Sequence, residues 1–345
     1  MNFVCSSVRP VLRGVFLGPT MDALSEVLKV VKLESAFFYN AEFSAPWRFL
    51  SPQSCKLAPF IHPTGGHVIV YHLLLNGRAY AEAQDMRLLL RPGDIVIFPH
   101  GEPHILESGP SPHTVDGENE LQRIFANGLK LSRMGGGGEV SRFVCGFMAC
   151  EPRLSQVFLA GLPSVFKVNI RDDQQGEWLE NSIRYSIAQA GANHAGGEAV
   201  LAKLCETLFV ETLRRYIGQM PAGQTGWLAG ARDIDIGRAL ALMHSRAADP
   251  WTVADLASAV GLSRSVLAQR FRQFLGEPPL AYLTRWRLQL GAQLLAATSY
   301  SVAQIASQVG YESEPAFNRA FKRAFGQPPA RYRTQAKAAV KSAGQ

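Results

Sequence analysis

Apolar positions along this chain change their period three times. Over residues 22–33, Leu24, Val27, Leu28 and Val31 recur at helical spacing. From about 36 to 108 the pattern breaks into short β-rich runs bounded by Gly, Pro and Asn. The run His67–Leu75 is followed by Asn76-Gly77, a dipeptide suited to the positive φ angles of a tight hairpin. Leu88–Leu90 and Ile95–Phe98 flank Arg91-Pro-Gly-Asp94, which predicts two more strands about a turn. Strands so closely spaced imply an antiparallel barrel or sandwich. Residues 108–120 are polar, Gly135–Gly138 predict a loop, and Phe143–Met148 predict a returning strand.

The helical period returns from about 176 to 218. Trp178, Leu179, Ile183 and Ile187 form one stripe, and beyond a loop at Gly191–Gly197, Leu201, Leu204, Leu208 and Leu213 form another. The pattern fits a helical pair packed on its own barrel. It also fits a partner surface for a second copy, because Leu201, Leu204 and Leu208 share a face. Pro221–Gly226 predicts a linker.

From residue 252 the same device occurs twice. Thr252-Val-Ala-Asp255 matches Ser301-Val-Ala-Gln304, Val253 matches Val302, Ala257 matches Ala306 and Gly261 matches Gly310, each 49 positions apart. One extra residue then shifts the register to 50, so Phe271 matches Phe321 and Gly276-Glu-Pro-Pro matches Gly326-Gln-Pro-Pro. Both openings are capping-box patterns, both glycines suit a positive φ, and Ser263 and Ser313 are placed to cap the helices that follow. Pro315 falls in the first turn of its helix, where a missing N–H costs little. Leu267 and Phe271 in one copy, and Phe317, Phe321 and Phe325 in the other, are expected inward. Between the copies, residues 280–297 predict one helix of about 27 Å, with Leu283, Trp286, Leu290 and Leu294 on a face.

A duplicated helix–turn–helix suits two contacts on a double-stranded polymer, and charge sharpens that reading. Residues 230–345 carry 15 Lys and Arg against 7 Asp and Glu, whereas residues 1–229 carry 20 against 21. The whole of the formal +7 therefore travels with the repeat. The outward positions expected to meet base edges are Arg264, Ser265, Ala268, Gln269 and Arg272, then Glu314, Asn318, Arg319 and Lys322. Arg270, Arg323, Arg331 and Arg333 are expected at phosphates.

Other signals exclude more than they assign. The 345 residues, 47% hydrophobic, suffice for two cores. Five cysteines (Cys5, Cys55, Cys145, Cys150, Cys205) without a CxxC pair argue for free thiols in a reducing compartment rather than a disulfide scaffold. Cys145 and Cys150 fit a redox pair on spacing alone, and buried inert thiols otherwise. No stretch approaches 18 uninterrupted apolar residues, so no membrane span is expected, and the chain reads as cytoplasmic. Arg9, Pro10 and Arg13 interrupt the apolar patch near Phe16, which makes a poor signal peptide.

With these segments in view, residues from about 230 to 333 resemble the DNA-binding domain of the AraC/XylS family of transcription regulators. The resemblance rests on Gly261-Leu-Ser-Arg-Ser265, Gly276–Leu283, Val302-Ala-Gln-Ile-Ala306, Val309–Ser313 and Ala320–Tyr332. It implies base reading by Ser265, Ala268 and Gln269, then by Glu314, Asn318 and Arg319. Gly93–His104 has the spacing of a second cupin motif, so residues from about 28 to 150 resemble the cupin sensor domain of the same family. The metal-holding first motif is absent: His67 and His72 are five apart, which in a strand sends them to opposite faces. His62, His100 and His113 fall near turns, and His72 and His104 are the effector-pocket candidates.

The expected fold is thus α+β. An N-terminal antiparallel cupin-like β-barrel with a helical pair precedes an all-α domain of two helix-turn-helix units joined by a linker helix. The expected division is an extension over 1–20, a sensor and dimerisation domain over 21–225, the DNA-binding domain over 227–335 and a tail over 336–345. The expected function is sequence-specific transcription regulation, an activator controlled by a small-molecule effector. Double-stranded DNA, a second copy of the chain and RNA polymerase are the expected partners. No catalytic residue, metal or cofactor is expected. The alternative is a cupin-type metalloenzyme with a nucleic-acid-binding tail.

Overall fold

The computed structural model describes residues 22–30, 33–58, 67–111, 114–127, 131–150, 159, 161–190, 196–221 and 223–342. A helix α1 (Ala23–Val30) opens the described chain. Among the described residues eleven strands follow: β1 (Leu33–Ser44), β2 (Arg48–Ser51), β3 (His67–Asn76), β4 (Ala79–Ala83), β5 (Met86–Leu90), β6 (Asp94–Phe98), β7 (His104–Glu107), β8 (Thr114–Asp116), β9 (Ser132–Gly135), β10 (Val140–Cys150) and β11 (Phe166–Asn169), with α2 (Gly117–Asn127) after β8. They form a six-stranded sheet, β11-β6-β3-β10-β1-β9, and a five-stranded sheet, β5-β4-β7-β2-β8. The β-rich reading of this half therefore holds, but each sheet keeps two edge strands. The architecture is a sandwich of two sheets rather than one closed barrel.

The two faces of β3 explain its unbroken apolar run. Val68, Val70 and Leu74 point between the sheets, where they join Phe43, Trp47, Phe49, Leu106, Phe143 and Phe147. Ile69, Tyr71 and Leu73 point the other way, under helices α3 (Gln174–Ala190) and α4 (Gly197–Gln219). A strand covered on both faces has no polar face to alternate with. Its hairpin turns at Gly77, where φ is +86° and a Cβ would stand 2.5 Å from the Val140 carbonyl oxygen.

Helices α3 and α4 pack on this sheet, and here several expectations change. Leu201, Leu208 and Leu213 are wholly buried in the chain's own core, with Leu204 partly buried at its margin. The leucine stripe is thus a core stripe and not a partner surface. Trp178, read as part of a buried stripe with Leu179 and Ile183, is 61% exposed, because it sits one residue around the helix from Leu179. The polar stretch 108–120 holds β8 and the start of α2, whose buried Leu121 and Ile124 lie beyond that stretch. Residues 1–20, Val31, the side chain of Ile187 and the loop residues 191–195 lie outside the described residues.

The C-terminal half is helical: α5 (Trp227–Arg232), α6 (Ile234–Ser245), α7 (Val253–Val260), α8 (Arg264–Leu275), α9 (Pro279–Ala297), α10 (Val302–Gln308), α11 (Glu314–Phe325) and α12 (Pro329–Ser342). One hydrophobic cluster runs from the outer face of β3 through α3 and α4 into α5–α9, with Ala23 and Val27 of α1 included. A separate cluster, built on Leu295, Ile305, Phe317 and Phe321, lies under α10 and α11. Among the described residues no helix is long and apolar enough to cross a membrane.

Candidate nucleic-acid interface

Each copy of the repeat folds as its caps dictate. Thr252 Oγ1 accepts the Asp255 N–H at 3.1 Å while Asp255 Oδ2 accepts the Thr252 N–H at 3.0 Å, starting α7. Gly261 ends it at φ +76°, and Ser263 Oγ accepts the Val266 N–H to open α8. In the second copy Ser301 and Gln304 make the same reciprocal pair at 3.1 and 2.8 Å, and Ser313 caps α11. Leu267 and Phe271 anchor α8 to the core, as Phe317 and Phe321 anchor α11, all wholly buried. The caps fix the start of each second helix and the buried anchors fix its rotation.

With the inner faces so fixed, the outer faces follow. Arg264, Ser265, Gln269 and Arg272 are exposed on α8, and Ala268 is half-buried among them. An open recess of about 540 Å³ lies over Ala268, lined by Gln269, Arg272 and Gln273. On α11, Glu314, Arg319 and Lys322 are exposed and Asn318 is half-buried, its amide 3.5 Å from Glu314 Oε1. The two helices are held relative to each other by α9. From it, Arg287 donates to the carbonyls of Ala247 and Asp249 at 2.7 and 2.6 Å, in the loop before α7.

The phosphate candidates divide. Arg323 and Arg331 are exposed. Arg270 instead bridges Asp233 and Asp235 at 2.6 and 2.5 Å, clamping α8 to the start of α6, so it is a structural residue. Asp233 also caps α6 by accepting the N–H groups of Asp235 and Ile236. Arg333 donates to the Tyr300 carbonyl at 2.5 Å and fixes the approach to α10. Sequence reasoning passed over Val266, a valine left 40% exposed on the edge of α8. Its signal was its place three residues before Gln269, on the same side of the helix.

In the sandwich, His72 and His104 meet at the centre, Nε2 to Nε2 at 2.8 Å. His104 Nδ1 lies 3.0 Å from the Glu102 carbonyl and must donate to it, so His104 Nε2 is the acceptor and His72 Nε2 the donor. Burial pushes both imidazoles down, His104 to about 4, and the His72 shift is deepened by its neighbour. Phe98 stacks on His104 at 3.6 Å. The spacing argument for opposite faces holds: His67 reaches the Pro99 carbonyl away from this pair. His100 meets the Leu162 carbonyl, while His62 and His113 lie outside the described residues. Cys145 is buried, and burial raises its thiol to about 12, which suits an inert thiol; the side chain of Cys150 lies outside the described ones.

The cupin family matches residues 22–218, and a helix-turn-helix domain family matches residues 256–335. The HTH-type transcriptional regulator AlkR of Acinetobacter baylyi is 30% identical over 91% of this chain and all of its own length. A putative AraC-like transcription regulator of Streptomyces lividans is 32% identical over 91% of this chain and 98% of its own. The chain belongs to the AraC-type transcription regulators. As such a regulator it binds DNA sequence-specifically through its C-terminal double helix-turn-helix, behind an N-terminal cupin domain. The crystal structure of an AraC-type regulator from Chromobacterium violaceum matches 30% of this chain and 91% of its own, at 34% identity and a TM-score of 0.29.

Proposed function

We propose that this AraC-type regulator reads its operator with the outer faces of α8 and α11, inserted in successive major-groove turns. Arg264, Ser265, Ala268, Gln269 and Arg272 form the first head, and Glu314, Asn318, Arg319 and Lys322 the second. The observation that carries the reading is the repeated local frame. Two helices with serine caps and buried anchors at matching positions, Leu267 and Phe271 against Phe317 and Phe321, both turn polar and basic side chains to solvent. Gln and Asn suit adenine, Arg suits guanine and Glu suits the cytosine amine. Gln269→Ala and Arg319→Ala are each expected to weaken specific binding by about 1–3 kcal/mol while sparing non-specific binding. Footprinting on fragments selected from genomic DNA tests this. Wild-type footprints and affinities in both variants refute the assignment.

The cupin half serves in this reading as the sensor for a small organic effector, with His72 and His104 as its polar centre in an otherwise apolar interior. The regulator acts in the cytoplasm as a homodimer and activates transcription through contact with RNA polymerase. With the α4 leucines buried, Trp178 and Tyr185, large exposed side chains seven residues apart on α3, are the surface assigned to a second copy. The sensor domain spans 21–225 and the DNA-binding domain 227–335.

A further inference from the structure

The two heads share a frame but not a chemistry. In register, Val266 corresponds to Ala316, Ala268 to Asn318, Gln269 to Arg319 and Arg264 to Glu314. The outer face of α11 is therefore polar through its centre. That of α8 carries an apolar group on either side of the exposed Gln269: Ala268, half-buried in the lining of the recess, and Val266, 40% exposed. An exposed valine is a poor helix former and leaves apolar surface in water, so its place on a reading face asks for an apolar partner. The major groove offers one such group, the 5-methyl of thymine.

We propose that the first head recognises thymine methyl groups through Ala268 and Val266. Gln269 beside them is placed for the N6 and N7 edge of adenine, so the half-site under α8 is read as A·T pairs. The second head reads by hydrogen bonds alone: Arg319 suits guanine, Glu314 the cytosine amine and Asn318 adenine. This rests on the reading of α8 and α11 as the groove helices. It adds which chemical edge each one tests.

Uracil isolates that edge, because it keeps the pairing and both groove hydrogen-bonding patterns of thymine and lacks only the methyl. The probe is a synthetic duplex of the genomic fragment that the full-length protein protects, with thymines replaced by deoxyuridine in one half-site at a time. Removing a buried methyl contact is expected to weaken binding about fourfold per group. The loss is expected in one half-site, with less than a twofold change in the other. In the Val266→Ser, Ala268→Ser chain the thymine and uracil duplexes should bind alike, and Ala268→Ser alone, changed at one surface position, should lose part of the discrimination. Equal affinity of wild type for both duplexes overturns the proposal. So does discrimination that survives in the double variant, that is undiminished in Ala268→Ser, or that is equal in the two half-sites. Each of these results leaves the protected fragment and the Arg319 effect intact, so they are distinct from failure of the double-headed reading.

Discussion

Gly310 lies against Ala248. A Cβ on Gly310 would stand 2.7 Å from the Ala248 carbonyl oxygen and 2.8 Å from its Cα. The turn of the second helix-turn-helix thus rests directly on the loop that leads into the first. Together with Arg287, which holds the same loop from α9, the contact fixes the spacing of the two heads before DNA is present.

Gly310→Ala tests that seat. The φ of +85° disfavours any side chain, and the backbone contact adds to it. A loss of about 2 kcal/mol or more in urea denaturation is expected, with weaker operator binding. Unchanged stability would mean the two subdomains separate at no cost.

Arg270 and Lys322 should part company in salt titrations. Arg270→Met removes the clamp on Asp233 and Asp235 and should lower stability by about 1 kcal/mol, leaving the salt dependence of DNA affinity as it was. Lys322→Ala should instead reduce that slope by about one unit with little change in stability. The reverse pattern is the result that removes Arg270 from the structural set.

Stability should fall on mild acidification. His72, His104 and His244 are all held neutral by burial, His104 at about 4 and His244 at about 3. The unfolded chain takes up protons near pH 6.5 and the folded chain only near those lower values, so the folded state loses ground as pH drops between them. At pH 5, His104 and His244 each account for about 2 kcal/mol. Melting temperatures from pH 7.5 to 5 check this. In His244→Gln, which can keep one bond to the Tyr282 hydroxyl, the decline should be shallower.

The leucines of α4 and the aromatics of α3 make opposite predictions. Leu208→Ala should cost about 2–5 kcal/mol of stability, because the side chain is wholly buried. Trp178→Ser with Tyr185→Ser should leave the melting temperature near wild type and shift sedimentation toward a monomer. A dimer that persists in the double variant places the partner surface elsewhere.

The repeat was legible because its rules are local. Thr252, Ser263, Ser301, Ser313, Gly261 and Gly310 act within a few residues of themselves, so caps and turns could be read from spacing alone. The role of Arg270 was not, because its partners lie 35 and 37 positions away. The destination of the α4 stripe was hidden for a related reason. Periodicity shows that Leu201 and Leu208 share a face, but only the tertiary fold decides whether a sheet or a second chain covers it. Closure of the barrel failed on the same ground, since strand spacing carries no information about which edges meet. His72 and His104 lie 32 residues apart in sequence, and nothing local predicts their contact.

The hydrophobic cluster that runs from β3 to α9 has a thermodynamic consequence. Ala23 and Val27, which precede the first strand, share an interior with Met243 of α6 and Phe271 of α8. The cupin half and the first helix-turn-helix are therefore expected to melt together, while the second, over its own small cluster, is joined to them through α9 and the Gly310–Ala248 contact. Free energy spent or gained in the sandwich is expected to register first at α8 and to reach α11 through α9 and the Gly310–Ala248 seat. An effector held in the sandwich, as proposed, would tune one hand of the grip, and the other would follow by leverage.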